Sequence, residues 1–141
     1  MSATKEQIVT FMAAEFPQTK CRVEAVDTNG ATLSHEIGLD ELRPGGTVSG
    51  PVLMSIADVA IYVAILGKIG IVPLTVTTSL TINFLRKPSA EARIIANCTL
   101  IKVGRTLIVG EVSLYSEGSD DMVAHVVGTY SVPPKPNQTV L

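Results

Sequence analysis

Residues 43–66 read RPGGTVSGPVLMSIADVAIYVAIL, a glycine-rich turn that runs straight into a long apolar stretch. Gly45, Gly46 and Gly50 lack the Cβ that closes much of backbone space. Pro51 has the fixed φ and the missing N–H that suit a first helical position. The residues therefore predict a helix that begins between Ser49 and Pro51. Between Pro51 and Leu66 only Ser55, Asp58 and Tyr62 carry polar side chains, so the helix is apolar on nearly every side and is expected to be largely buried. Its first-turn N–H groups have no acceptor within the helix and sit at the positive end of the dipole, a natural place for a carbonyl oxygen or an anion. Asp58 lies about two turns further in. A carboxylate in such surroundings is either a hydrogen-bonded structural group or a group with a chemical task.

The rest of the chain bounds what can be built around that helix. A length of 141 residues fits a single domain over 1–141 with its own core. Hydrophobic residues make up 46% and charged residues 17%, a composition that predicts a globular protein hiding further surface in an oligomer. A net charge of −2 without a basic stripe argues against nucleic acid as a partner. The start, MSATKEQIV, lacks the layout of a secretory signal, so a cytoplasmic location is the expectation. Asp58, Lys68, Gly67, Gly70 and Pro73 interrupt the run from Pro51 to Val76, so no membrane span is expected. Cys21 and Cys98 have neither metal-ligand nor CxxC spacing, and are expected to be free, buried thiols.

Thr4 followed by Gln7 has the form of a capping box. Ile8, Phe11, Met12 and Phe16 share a helical face, which predicts a helix over Thr4–Glu15, within residues 1–17, packed on the domain edge and ended by Pro17. Cys21, Val23 and Ala25 alternate with Arg22 and Glu24, and Ala31, Leu33, His35 and Ile37 alternate with polar residues. Asn29-Gly30 between them predicts a two-residue hairpin turn. Residues 38–49 read as a loop, and the central helix runs to Ile69. Period-two patterns then predict strands from Leu74 to Phe84, over 92–101, 105–116 and 122–131, joined as a meander, and the proline-rich tail over 132–141 reads as loose. A single hydrophobic helix between such strands is most simply buried by a curved antiparallel sheet wrapped around it, an α+β architecture.

With that element order, GTVSGPVLMSIADVA, TINFLRKP and KVGRTLIVGEV make residues 18–131 resemble the hotdog-fold acyl-CoA thioesterases of the phenylacetate-degradation (PaaI-like) group. The group's pattern of N-x-x-G-x-x-H-G-G, an SLAD-like helix and a YLRP-like turn is met here by R-P-G-G-T-V-S-G-P, SIAD and FLRKP. The resemblance implies that Asp58 is the carboxylate that activates water or attacks the thioester. It also implies that Gly50 donates its N–H to the thioester carbonyl, and that Thr77 helps to place the water. No metal or separate cofactor is implied, since CoA enters as part of the substrate. The site is implied to form across a homodimer, with a dimer of dimers common in the group. Arg86, Lys87, Lys102 and Arg105 fall at turns where the group holds the nucleotide and phosphates of CoA.

Arg43 replaces the group's Asn, Ser49 its His, and Pro51 its second Gly. Ser49 is thus a candidate helix cap or carbonyl contact, and Arg43 a candidate partner of an acyl carboxylate or a phosphate. A weakly active or non-catalytic acyl-CoA-binding hotdog module is the alternative these replacements raise. His35 and His125 lie among apolar strand neighbours and read as structural histidines, which speaks against an enoyl-CoA hydratase or dehydratase. Ser49 sits in no G-x-S-x-G elbow, so a serine hydrolase is not indicated.

Overall fold

The computed structural model describes residues 2–134. In chain order the elements are α1 (Lys5–Glu15), β1 (Arg22–Asp27), β2 (Gly30–His35), a 3-10 turn (Leu39–Glu41), β3 (Leu42–Arg43), β4 (Thr47–Val48), α2 (Gly50–Ile69), β5 (Val76–Phe84), β6 (Ile94–Val103), β7 (Leu107–Ser116) and β8 (Met122–Ser131). Both halves of the predicted capping box form at Thr4 and Gln7, and the chain leaves α1 at Phe16, just before Pro17. The glycine and proline turn starts α2 with Ser49 as N-cap and Pro51 in the first turn, and Gly70 ends it in a left-handed conformation.

Six strands form one antiparallel sheet in the order β1-β2-β6-β7-β8-β5. Its concave face buries Leu53, Ile56, Ala57, Ala60, Ile61, Ala64 and Ile65 of α2 against Leu33, Ala96, Ile108, Val112, Leu114 and Val126. Each fully buried Ile or Leu contributes roughly 1.5–3 kcal/mol. Such a helix has the length and apolar character of a membrane span, yet here the sheet buries it. Gly128 allows the sheet to close on α2, because a Cβ there would lie 2.7 Å from Ile61 Cδ1 and 2.8 Å from Leu80 Cδ1. One long core helix wrapped by an antiparallel sheet is the hotdog arrangement.

Several local expectations are corrected. The last four strands are not one meander: β6, β7 and β8 are, but β5 pairs with β8 and occupies the sheet edge, while β6 pairs with β2. Edge pairing depends on contacts far apart in the chain, which period-two patterns do not record. The β1-β2 turn is Thr28-Asn29, one residue earlier than expected, because Asp27 pairs with Gly30 and the Asp27 carboxylate accepts the Asn29 N–H. A bulge between Val23 and Ala25 turns Val26, not Ala25, toward the core beside Val23. The loop over 38–49 contains the 3-10 turn and the short β3-β4 hairpin, whose tip uses Gly45 and Gly46 at φ 97° and 74°. Val132 is pinned by its N–H to Thr106 O rather than loose, and the tail beyond 134 lies outside the described residues.

Candidate active site

α2 carries Asp58 to the β5–β8 side of the sheet, and the residue is half-buried rather than enclosed. Thr77 at the start of β5 donates its hydroxyl to Asp58 Oδ1 over 2.7 Å, and Tyr130 near the end of β8 donates to the same oxygen over 2.6 Å. The Tyr130 hydroxyl also lies 2.8 Å from the Asp58 carbonyl oxygen. Two donors on one oxygen fix the carboxylate's orientation, and among the described residues no donor is paired with Oδ2. Asp58 lines a cleft of about 240 Å³. Met12, Phe16, Val59, Tyr62 and Thr75 line that cleft, so α1 forms part of its wall rather than only packing on an edge. The Thr75 hydroxyl is buried there without a protein partner among the described residues, available to a water or a ligand.

Tyr130 is 3% exposed. Burial, and then the Asp58 charge, push its phenol well above the usual value, so it stays protonated and remains a donor. In the sequence Tyr130 lies within the strand expected over 122–131, with nothing local to mark it. Only the closure of β8 against β5 brings it to a carboxylate 72 residues away.

The other candidate feature is the start of α2. Here Gly50 leaves room for the Phe84 ring, since a Cβ would lie 3.0 Å from Phe84 Cζ. Ser49 makes no side-chain cap bond, and its N–H is held by Glu41 O over 3.0 Å. A cleft of about 600 Å³ opens at this helix end, lined by Gly50, Leu53, Phe84 and the three cations Arg43, Arg86 and Lys87. The Arg86 guanidinium also donates to Met122 O.

Asp58 and Gly50 share the helix, but eight residues separate them by about 12 Å.

The thioesterase superfamily model matches residues 45–123 of this sequence, from the β3-β4 hairpin to the start of β8. The chain belongs to the thioesterase superfamily. Its fold superposes with a TM-score of 0.86 on a protein from a Silicibacter species assigned as a thioesterase, at 37% identity over 93% of this chain and 92% of that one. A point mutant of the Thermus thermophilus phenylacetic acid degradation protein PaaI is similar at 26% identity and TM-score 0.72 over 88% of this chain and 99% of that one. The Escherichia coli PaaI protein shares the fold at 20% identity and TM-score 0.76 over 90% and 94%. No curated protein matches the sequence. Within that superfamily the chain is similar to the PaaI proteins.

In this thioesterase, Arg43, Arg86 and Lys87 gather at the α2 start, whereas Lys102 and Arg105 lie at the β6-β7 turn at the opposite end of the sheet. The five exposed cations therefore do not form one cluster within a chain. Sequence reading also missed a network around His35. The His35 Nε2 lies 2.7 Å from Glu41 Oε2, while Glu41 Oε1 accepts the Gly38 N–H over 2.8 Å and faces Lys20 at 3.3 Å. Burial would raise the Glu41 carboxyl, but these partners outweigh it and hold it below the ordinary carboxylate value. Cys98 is buried as expected. Cys21 is half-buried, with its Sγ 3.6 Å from His35 Nδ1.

Proposed function

We propose that the protein hydrolyses a small or medium acyl-CoA thioester, at a site completed by a second copy of the chain. The observation that supports this most is the Asp58 carboxylate held at Oδ1 by Thr77 and Tyr130, with Oδ2 unpaired among the described residues, in a residue that lines the cleft. As a general base, Oδ2 takes a proton from water while the water oxygen bonds to the thioester carbonyl carbon. The developing oxyanion is stabilised by the N–H of Gly50 of the partner subunit, at the positive end of its helix. Collapse of the tetrahedral intermediate breaks the carbon–sulfur bond and expels CoA thiolate, which takes up the proton. Direct attack by Oδ2 gives a mixed anhydride that water then cleaves to the same products. The chemistry needs no metal, and CoA enters with the substrate.

Two further observations favour the dimer. The separation of Gly50 and Asp58 by about 12 Å along one helix suits a site shared between two chains better than a one-chain site. The edge strand β5 and its flanks also carry Leu74, Val76, Phe84 and Leu85, which are 74%, 55%, 54% and 51% exposed. An unpaired apolar edge is covered by pairing with a second copy. The outer sheet face, with Asn97, Thr99, Glu111, Ser113 and His125, is polar but lightly charged and suits a dimer of dimers. Arg43, Arg86 and Lys87 take the CoA phosphates or an acyl carboxylate. Lys102 and Arg105 of the partner subunit, at the other end of its sheet, join them across an antiparallel edge pairing. Ser49 contacts the substrate carbonyl. The site works in the cytoplasm, without membrane or nucleic acid.

Steady-state hydrolysis of an acyl-CoA panel tests this reading. Asp58→Asn is expected to lower kcat on the order of 100-fold or more. Unchanged turnover would remove Asp58 from the mechanism. A wild type that binds CoA in calorimetry yet turns over no thioester would make the protein a binding module instead.

A further inference from the structure

Beyond the Asp58 site, Cys21, His35 and Glu41 stand in line. The Cys21 Sγ is 3.6 Å from His35 Nδ1, and His35 Nε2 is 2.7 Å from Glu41 Oε2. Glu41 is held ionised by the Gly38 N–H, His35 and Lys20, so its carboxylate can only accept. The proton of a neutral His35 must then reside on Nε2, which leaves the Nδ1 lone pair facing the thiol. That is the tautomer a base needs, with the carboxylate placed to stabilise the imidazolium once it forms.

The arrangement opens outward. Cys21 lines a groove of about 560 Å³ between α1 and β1, with Val9, Met12, Ala13, Phe16 and Val23 as apolar walls. Burial, and then the Glu41 charge, raise the Cys21 thiol, while the Thr19 hydroxyl works the other way. The resting group is therefore a thiol that needs a base to react at neutral pH.

We propose that Cys21 is a second nucleophilic centre, activated by His35 and oriented by Glu41, which takes up an alkyl or acyl group from a carbon electrophile entering the α1–β1 groove. The bond from Sγ to carbon forms as His35 Nδ1 takes the thiol proton. The leaving group departs with its electron pair, and the imidazolium passes the proton to that group or to water. No oxidant or metal is required. This centre is separate from the Asp58 cleft, although Met12 and Phe16 line both.

Iodoacetamide labelling of the full chain, followed by intact mass and peptide mapping, tests the proposal. In this reaction Sγ displaces iodide. At pH 7 Cys21 is expected to be carbamidomethylated at least about tenfold faster in the wild type than in His35→Asn. The gap should close at pH 10, where the thiolate needs less help. Cys98, whose thiol burial pushes up to about 12, stays unlabelled while the fold is intact and reports opening. If His35→Asn exposes Cys98, Glu41→Gln replaces it in the same comparison, with a loss of at least about threefold expected at pH 7. Equal Cys21 rates in wild type and the folded variant at pH 7, or no labelling of Cys21 in the folded wild type, would overturn the proposal.

Discussion

The two ends of the proposed chemistry are built in opposite ways. At the start of α2 the working group is backbone: a helix N-terminus, a glycine with Phe84 against it, and a short hairpin whose tip needs Gly45 and Gly46. Eight residues on, the working group is a side chain, and Asp58 is placed by hydroxyls from β5 and β8. A backbone site is specified locally, by residues that set φ or leave space. A side-chain site depends on how distant strands close. Mutations should accordingly break the second by chemistry and the first by shape and charge.

After Asp58 itself, the largest effect expected in that contrast is at Tyr130. Tyr130→Phe leaves Asp58 Oδ1 with Thr77 alone, and should lower kcat about tenfold through loss of positioning while KM changes little. It should also cost roughly 1.5–3 kcal/mol of stability, as for a lost hydrogen bond to a charged group. Equal losses in kcat for Tyr130→Phe and for a distant core variant of matched stability would reduce Tyr130 to packing. At the helix end, Arg43→Ala should instead raise KM for acyl-CoA by about three- to tenfold with kcat held, and the difference should shrink above about 0.3 M salt as screening grows. A kcat effect there would erase the contrast.

Acid sharpens it further. Glu41 anchors the segment leading into the helix end through Gly38, His35 and Lys20, and its carbonyl holds the Ser49 N–H. Its carboxyl sits below the ordinary value of 4.5 in the folded chain. The unfolded chain therefore binds that proton first as pH falls. The contribution to stability is fully present above about 4.5 and is lost as pH drops through the folded value. Glu41→Gln should lower Tm by roughly 2–5 °C at pH 7 and flatten the fall in Tm below pH 4.5. A parallel pH profile in the variant would show that the anchor carries no titrating charge.

What could be read from the sequence follows the same division. The α2 boundaries, the capping box at Thr4, the β8 limits and the candidacy of Asp58 came from local signals: glycine and proline positions, a three-residue spacing, a lone carboxylate in an apolar run. The pairing of β5 with β8 did not, nor did Tyr130, because both depend on contacts between segments far apart in the chain. The bulges near Ala25 and in β5 at Thr77–Ser79 shift faces by one residue without any compositional mark. Cys21, His35 and Glu41 each looked ordinary alone, and only the fold aligns them.

The central claim is that Gly50 and Asp58 act on one substrate from different subunits, and subunit complementation tests it most directly. Gly50→Pro, which removes the N–H at a first helical position that accommodates proline, and Asp58→Asn should each give homodimers with little thioesterase activity. When the two are co-expressed, half of the dimers are mixed and each mixed dimer holds one intact site. The preparation should therefore recover about a quarter of wild-type activity. Activity no higher than that of the separate variants, in a preparation that contains the mixed dimer, would contradict the shared site.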